Sequence, residues 1–243
     1  MNPYSELARW YNDLTEDVPY SAFADYYESV FREDEGEHSL ILDLCCGTGT
    51  LSCEMAKRGY DMISVDASPE MLMQARETAA DHGFSILFLC QDAEELDLYG
   101  TVDACFSSLD SINYISPEDL NAALKRLHLF IRPGGLFIFD IRSVGWLRSM
   151  DGETYVDENE DVLCLWRADF DESSMEMTYG IDIFERAGKL WKRESEYHTE
   201  YAYHEETLRK MLEDTGFEDI RFSCEGPQGN LGRIFVICRR ERQ

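Results

Sequence analysis

The stretch Ile41-Leu-Asp43-Leu-Cys45-Cys46-Gly47-Thr-Gly49-Thr50 reads as a buried strand that ends in an acid and a glycine turn just before a helix. Gly47 and Gly49 let the backbone turn sharply and approach a ligand that any side chain would block. The helix opening at Thr50 directs its free N–H groups towards the same place. A dinucleotide fingerprint would carry G-x-G-x-x-G to seat a pyrophosphate on that helix. Here the third glycine position holds Ser52, and Asp43 stands on the strand before the glycines. A carboxylate there repels a phosphate and tolerates a cation, so the turn suits a nucleoside-like ligand carrying an amino group or a sulfonium. A tight strand-to-helix turn with no ligand is the competing account, because glycine punctuation is common.

Working outward, the text alternates strand and helix. The spacing predicts a helix to Arg58 closed by Gly59, a strand over 62–65, a helix from Ser68-Pro69 to Gly83, and strands over 85–89 and 102–106. A helix from Ser116-Pro117 to Phe130 follows, with Ser116-x-x-Asp119 as a variant capping box, then a strand over 136–139 after Pro133-Gly134-Gly135. Such an order means an α/β fold with a doubly wound parallel sheet. Upstream, Asn2-Pro3 reads as a helix start followed by Tyr4, Leu7, Tyr11 and Leu14 at helical spacing. A second helical set, Tyr20, Phe23, Tyr27 and Phe31, follows the break at Pro19. From about 145 to 203 the pattern becomes period two, predicting three antiparallel strands over 162–169, 176–184 and 190–203, with Ala187-Gly188-Lys189 as a hairpin turn. A helix over 204–215 closed by Gly216 and strands around 220–224 and 234–238 complete the chain.

A chain of 243 residues with 29% charged and 44% hydrophobic residues is one ordinary globular domain with an elaboration. The formal charge of -27 is not ordinary. It repels phosphate backbones and anionic membranes, so neither nucleic acid nor a membrane is an expected partner. The two basic clusters, Lys189, Lys192 and Arg193 and then Arg239, Arg240 and Arg242, read as solvated ends. The eight cysteines lie mostly in apolar runs (Cys90, Cys105, Cys164, Cys238) and form no C-x-x-C pair, which predicts buried reduced thiols and no metal site. Cys45 and Cys46, as neighbours on a strand, are expected to point to opposite faces and to pack. The opening Met-Asn-Pro-Tyr-Ser-Glu lacks the regions of a signal peptide, and no apolar run approaches the ~18 residues of a membrane span, so the cytoplasm is the expected location.

In a doubly wound sheet, ligands sit outside the carboxyl ends of the strands. The first strand end carries Asp43 and the glycines. The second carries Asp66, able to accept both hydroxyls of an adenosine ribose. The third carries Gln91-Asp92-Ala93, suited to an adenine amino group, and the fourth carries Ser107-Ser108-Leu109-Asp110 with Asn113 and Tyr114 beyond. A helix cap or a solvated loop would explain any one of these acids, but not three acids at three successive strand ends.

On these motifs, with Ser64-Val-Asp66-Ala-Ser-Pro-Glu-Met71 and Arg132-Pro-Gly-Gly-Leu136, the chain resembles a class I S-adenosylmethionine-dependent methyltransferase. Tyr4-x-x-Leu-Ala-x-x-Tyr11 and Leu109-Asp110-Ser-Ile-Asn113-Tyr114 are further similar to a bacterial subgroup of small methyltransferases with a poorly defined acceptor. The family usually has a third small residue where Cys45 stands. The resemblance implies a Rossmann-like body with a seven-stranded, mostly parallel sheet (37–145 and 203–243), an N-terminal helical cap (1–36) and an inserted antiparallel β subdomain (146–202) that walls off the acceptor. It further implies that Asp43, Cys45, Gly47 and Gly49 hold the methionine portion of S-adenosylmethionine and that Asp66 holds its ribose. Ala67 and Met71 would pack near adenine, with Asp92 and Ala93 reading its amino group. Ser108 and Leu109 would line the reacting end, and Tyr11 would close over the carboxylate.

For the acceptor, Asp110 and His198 are the candidate bases, and Asn113, Arg142, Trp166 and Tyr201 the candidate contacts. His198, beside Tyr197 in an alternating strand, reads more readily as an outward or packed residue than as a base, and Arg142 reads equally as a salt bridge or an anchor for an anionic acceptor. Trp146, Trp166 and Trp191 either line an aromatic pocket, form the core of the insertion or face a homodimer partner. The expected activity is methyl transfer to a small molecule. The alternatives are a protein or RNA methyltransferase, a non-catalytic S-adenosylmethionine-binding module, and a nicotinamide-dependent oxidoreductase, against which Asp43 and the missing third glycine argue.

Overall fold

The computed structural model describes residues 4–228 and 232–242, so the helix start read at Asn2-Pro3 lies outside the described residues. Two helices, α1 (Ala8–Leu14) and α2 (Tyr20–Glu33), precede β1 (Leu40–Leu44). There follow α3 (Thr50–Lys57), β2 (Asp61–Asp66), α4 (Pro69–Asp81), β3 (Leu87–Cys90), β4 (Val102–Ser107), α5 (Pro117–Phe130) and β5 (Ile131–Arg142). A short α6 (Val144–Ser149) leads into β6 (Thr154–Glu158), β7 (Val162–Asp171), β8 (Glu176–Ala187) and β9 (Leu190–Tyr201). The chain closes with α7 (Glu205–Asp214), β10 (Phe217–Ser223) and β11 (Arg233–Arg240).

The main sheet has seven strands in the order β10-β11-β5-β4-β1-β2-β3. β1 pairs in parallel with β2 on one side and β4 on the other, and β11 runs antiparallel between β5 and β10. The strand succession reverses at β1 and β4, and the crevice at that switch point is where such folds bind ligands. β1 carries no polar alternation because both its faces are covered: Leu42 and Leu44 pack with Leu124, Leu127, Leu208 and Leu212, whereas Ile41 packs with Phe23, Tyr27 and Phe31 of α2. The α2 helix therefore forms part of the layer on one face of the sheet, with Tyr27 stacked on Phe106 at 4.7 Å.

The insertion forms a separate antiparallel sheet in the order β6-β7-β8-β9, so it has four strands rather than the three expected. The strand missed, Thr154–Glu158, is mostly polar, and its pairing with β7 rather than its own apolar residues makes it a strand. Gly188 and Lys189 form the two-residue turn between β8 and β9, as expected. At the N-terminus, Tyr4 has a left-handed backbone (φ 62°), which stops a helix from passing through it, so α1 starts only at Ala8. β5 begins before the Pro133-Gly134-Gly135 turn because Ile131 already pairs with Val102, and the register then jumps to Leu136 against Ala104. No helix among the described residues is long and apolar enough to cross a membrane.

Candidate active site

The turn between β1 and α3 passes through three left-handed residues, Cys45 (φ 60°), Gly47 (φ 54°) and Gly49 (φ 71°). The two glycines have different reasons to be glycine. A Cβ on Gly49 would lie 3.0 Å from the Cβ of Ala75 and 3.3 Å from its Cα, so Gly49 lets α3 and α4 approach. A Cβ on Gly47 would meet nothing within 4 Å, and this residue borders open space. Its N–H donates to Asp66 Oδ2 at 2.8 Å, while the N–H of Ser68 donates to Asp66 Oδ1 at 2.9 Å. One carboxylate thus ties the turn after β1 to the turn after β2. Ser68 also caps α4 by accepting the N–H of Met71 at 3.1 Å.

Ser52, at the position where a dinucleotide fold carries its third glycine, donates its hydroxyl to Asp43 Oδ2 at 2.5 Å and lies 2.8 Å from Ser64 Oγ. Asp43 is 2% exposed, and burial pushes its carboxyl up to about 7, against the pull of the Ser52 hydrogen bond and with a contribution from the Asp66 charge. Burial also raises the Asp66 carboxyl from its ordinary value, although its backbone hydrogen bonds oppose this.

After β4, Leu109 and Asp110 are successive left-handed residues (φ 57° and 58°). Each such non-glycine residue costs about 1–2 kcal/mol and persists where its surroundings enforce it. The enforcing group is Asp140, fully buried, which accepts the N–H groups of Leu109 at 3.0 Å and Asp110 at 2.9 Å. Arg233 from β11 bridges Asp140 and Asp110, the latter at 2.7 Å. Burial alone would raise the Asp110 carboxyl, but Arg233 and Arg142 hold it below its ordinary value. Asn113 accepts the backbone N–H of Arg142 at 2.8 Å and donates to the Tyr201 carbonyl at 2.9 Å. The Arg142 guanidinium lies 4.2 Å from the Trp146 ring and 3.7 Å from Asp110.

These turns enclose a cavity of about 630 Å³, a volume suited to a small ligand. Of the residues expected to hold the donor, Tyr11, Asp43, Cys45, Gly47, Asp66, Ala67, Met71, Asp92, Ala93, Ser108 and Leu109 line it, whereas Gly49 supports the turn from behind. Among the expected acceptor residues Tyr201 lines it. Asp110, Asn113 and Arg142 instead build the wall described above, and Trp166 stacks on Tyr155 at 5.5 Å. His198 is fully buried rather than outward: its Nε2 lies 2.8 Å from Glu196 Oε1 and its Nδ1 3.3 Å from Tyr114 Oη. Sequence reasoning missed Tyr4, Tyr20, Tyr197 and Thr199 as lining residues. The Tyr197-x-Thr199-x-Tyr201 alternation was a signal for one shared face, but not for what that face meets. Cys45 and Cys46 both line the cavity instead of pointing apart, because β1 ends at Leu44 and Cys45 is left-handed. Burial, with the charges of Asp43 and Asp66, raises both thiols, which keeps them protonated and unreactive.

The cradle fits S-adenosylmethionine: open space faces Gly47, acids stand at the ends of three strands, and no Lys, Arg or His is among the described residues that line it. Residues 41–135 match a family model described as a methyltransferase domain. Over 98% of both chains the protein is 27% identical to YqeM of Bacillus subtilis (strain 168), which is named provisionally as a methyltransferase. The crystal structure of an S-adenosylmethionine-dependent methyltransferase from Clostridium acetobutylicum ATCC 824 superposes with a TM-score of 0.85 at 29% identity, over 99% of this chain and 100% of that one. The S-adenosylmethionine-bound CalS10 of Micromonospora echinaspora, named an amino pentose methyltransferase, shares the fold at a TM-score of 0.77 and 17% identity over 99% of each chain. A ligand cradle read from the strand ends and a full-length likeness to such an enzyme point the same way: the chain belongs to the class I S-adenosylmethionine-dependent methyltransferases.

Proposed function

We propose that the protein methylates a small molecule that carries no negative charge near the reacting atom. When bound, S-adenosylmethionine supplies a methyl group on a sulfonium, open to in-line displacement by an acceptor lone pair, and the protein supplies position. Asp66 would take the ribose hydroxyls, with Ala67 and Met71 beside the adenine and Asp92 and Ala93 at its amino group. Asp43 and the Cys45–Gly47 turn would hold the methionine portion, with Tyr11 over it, and Ser108 and Leu109 the reacting end. Gly49 would serve by letting the two helices approach.

The observation that carries this reading is the lining of the cavity beyond the donor cradle. Tyr197, Thr199 and Tyr201 of the inserted sheet close it, Tyr4 and Tyr114 face it, and its charged residues are all acids: Asp43, Asp66, Asp92, Glu94 and Asp119. A phosphate or carboxylate near the methyl group would meet repulsion and no guanidinium. The same lining accommodates an alcohol or an amine. That the similar CalS10 is named for an amino pentose agrees with this by analogy only.

Two measurements test the reading. Calorimetry with S-adenosylhomocysteine should show binding that drops roughly 100-fold in Asp66→Ala, the scale of losing charge-assisted hydrogen bonds worth about 3 kcal/mol. Methyl-labelled donor should then be incubated with the protein and with the RNA, protein and small-molecule fractions of a cell extract, the last separated by charge. Label in neutral or cationic small molecules supports the proposal, and label confined to RNA, protein or anions overturns it. Tight donor binding without transfer to any fraction would favour a non-catalytic donor-binding module.

A further inference from the structure

His198 and Glu196 lie in the second layer of the cavity wall, both essentially inaccessible (0% and 1% exposed), and no step described so far uses them. They alternate in β9 with Tyr197, Thr199 and Tyr201, which face the cavity, so the strand presents hydroxyls inward and a histidine–carboxylate pair behind them. A buried imidazole bonded to a buried carboxylate has a cost unless it is fully paired. The pairing here is directional. Glu196 Oε1 lies 2.8 Å from His198 Nε2, and the carboxylate's other oxygen accepts the N–H of Glu6 at 3.0 Å. The contact of the Tyr4 N–H with the same Nε2 is longer, 3.4 Å, so the 2.8 Å bond assigns the Nε2 proton to the Glu196 side. That leaves Nδ1 with its lone pair, 3.3 Å from the phenol oxygen of Tyr114. Tyr114 ends the short 3-10 turn Ser111–Tyr114 that follows β4, and it lines the same cavity as Ser108 and Leu109.

We propose that Tyr114 is the proton port of the acceptor site and that His198, backed by Glu196, takes the acceptor's proton through it. The proposal rests on the small-molecule reading above. In the step, the acceptor's N–H or O–H proton passes to Tyr114 Oη as the Tyr114 hydroxyl proton passes to His198 Nδ1. The acceptor keeps the electron pair of the broken bond as its nucleophilic lone pair, the tyrosine ends neutral, and the imidazolium stands against the Glu196 carboxylate. The proton returns to solvent after turnover, so no other reactant is required. A phenol relays well here because it gives one proton and receives another without becoming a phenolate, which burial disfavours at Tyr114.

The groups around the relay are compatible with it. Tyr4, from the N-terminal segment, packs its ring at a tilt against His198, 4.5 Å between centroids, and hydrogen-bonds Tyr114. Trp166 of β7 meets the imidazole edge-on at 6.2 Å, and Tyr179 of β8 pairs opposite His198 in the sheet. Glu200, two residues along β9, lies within hydrogen-bond reach of Tyr114, and burial with the Asp110 charge raises its carboxyl well above its ordinary value. The charges of Arg142 and Arg233 act on Glu200 and Asp110. The relay is not merely a clasp for the N-terminal segment, although the Glu196 bond to Glu6 makes it that as well, so its test must separate the two roles.

Tyr114→Phe removes the hydroxyl and keeps the ring. Its methyl-transfer rate should be compared with wild type and His198→Gln in single turnovers, using labelled donor and the methylated extract fraction as acceptor, from about pH 5.5 to 9.5, with S-adenosylhomocysteine affinity measured alongside. The expected result is a rate about 100-fold or more lower in Tyr114→Phe at unchanged ligand affinity, the scale of positioned proton transfer. His198→Gln should lower the rate by a similar factor, again at unchanged ligand affinity. Wild-type rates in Tyr114→Phe, or rates that fall only in step with ligand affinity, would overturn the relay and leave the clasp. Nitrogen-15 NMR of the ligand-loaded protein, with His198→Gln to assign the signal, reads the tautomer without any acceptor. A proton on Nδ1 rather than Nε2 would overturn the proposal outright. If wild type methylates no fraction, the small-molecule reading fails instead, and the relay fails with it.

Discussion

Asp43 and Asp66 end neighbouring strands, yet the structure treats them differently. Asp66 accepts two backbone N–H groups, whereas Asp43 has a single serine hydroxyl bond, whose pull burial outweighs, so its carboxyl is pushed up to about 7. A carboxyl raised on folding binds protons more tightly in the native state. Its ionisation therefore subtracts stability as pH rises from the unfolded value near 3.9 towards about 7. A ligand ammonium beside it favours the ionised form, so S-adenosylhomocysteine affinity should rise roughly tenfold between pH 6 and 8 and lose that dependence in Asp43→Asn, as calorimetry at several pH values would show. The two glycines offer a second comparison. Gly49→Ala forces a methyl against Ala75 in a left-handed residue and should cost about 2–3 kcal/mol in urea unfolding, whereas Gly47→Ala carries only the backbone term of about 1–2 kcal/mol. Gly47→Ala should instead lose ligand affinity by tenfold or more, since its Cβ enters the cradle. Equal losses of stability in the two variants would contradict this division of labour.

Among the elements, those legible in the sequence carry their own start and stop chemistry. Ser68-Pro69 and Ser116-Pro117 cap α4 and α5 through their hydroxyls, as the spacing predicts, and Gly188-Lys189 turns β8 into β9. The elements misread depend on partners: β6 needs β7, the early start of β5 needs Val102, and α1 starts late because Tyr4 is held left-handed. The left-handed Leu109–Asp110 turn depends on residues of β5 and β11 far along the chain. Arg233→Met would leave the buried carboxylates of Asp140 and Asp110 without their cation and should destabilise the protein by about 3–5 kcal/mol in urea unfolding. A loss below about 1 kcal/mol would mean that Arg142 alone neutralises them.

Across the whole molecule, a formal charge of -27 makes self-repulsion a standing cost of compactness. Salt shortens the range of that repulsion from about 30 Å at 0.01 M to about 8 Å at 0.15 M. The melting temperature should therefore rise by a few degrees over that range, and a fall would show that attractive ion pairs dominate. The basic clusters do not offset the charge as a patch: Arg239 pairs with Asp34, Arg193 with Asp182, and Lys192 with Glu194. What the sequence alone determined was everything set by near neighbours: the glycine turn, the acids at strand ends, the caps and the α/β order, and from them the donor. The acceptor side was decided by folding. Asp110, Asn113 and Arg142 look like reacting groups in the text, but Arg233, Tyr201 and Trp146 draw them into the wall. The same sheet pairing sets which face of β9 meets the cavity, and a strand's alternation defines two faces without saying which one a distant element will cover.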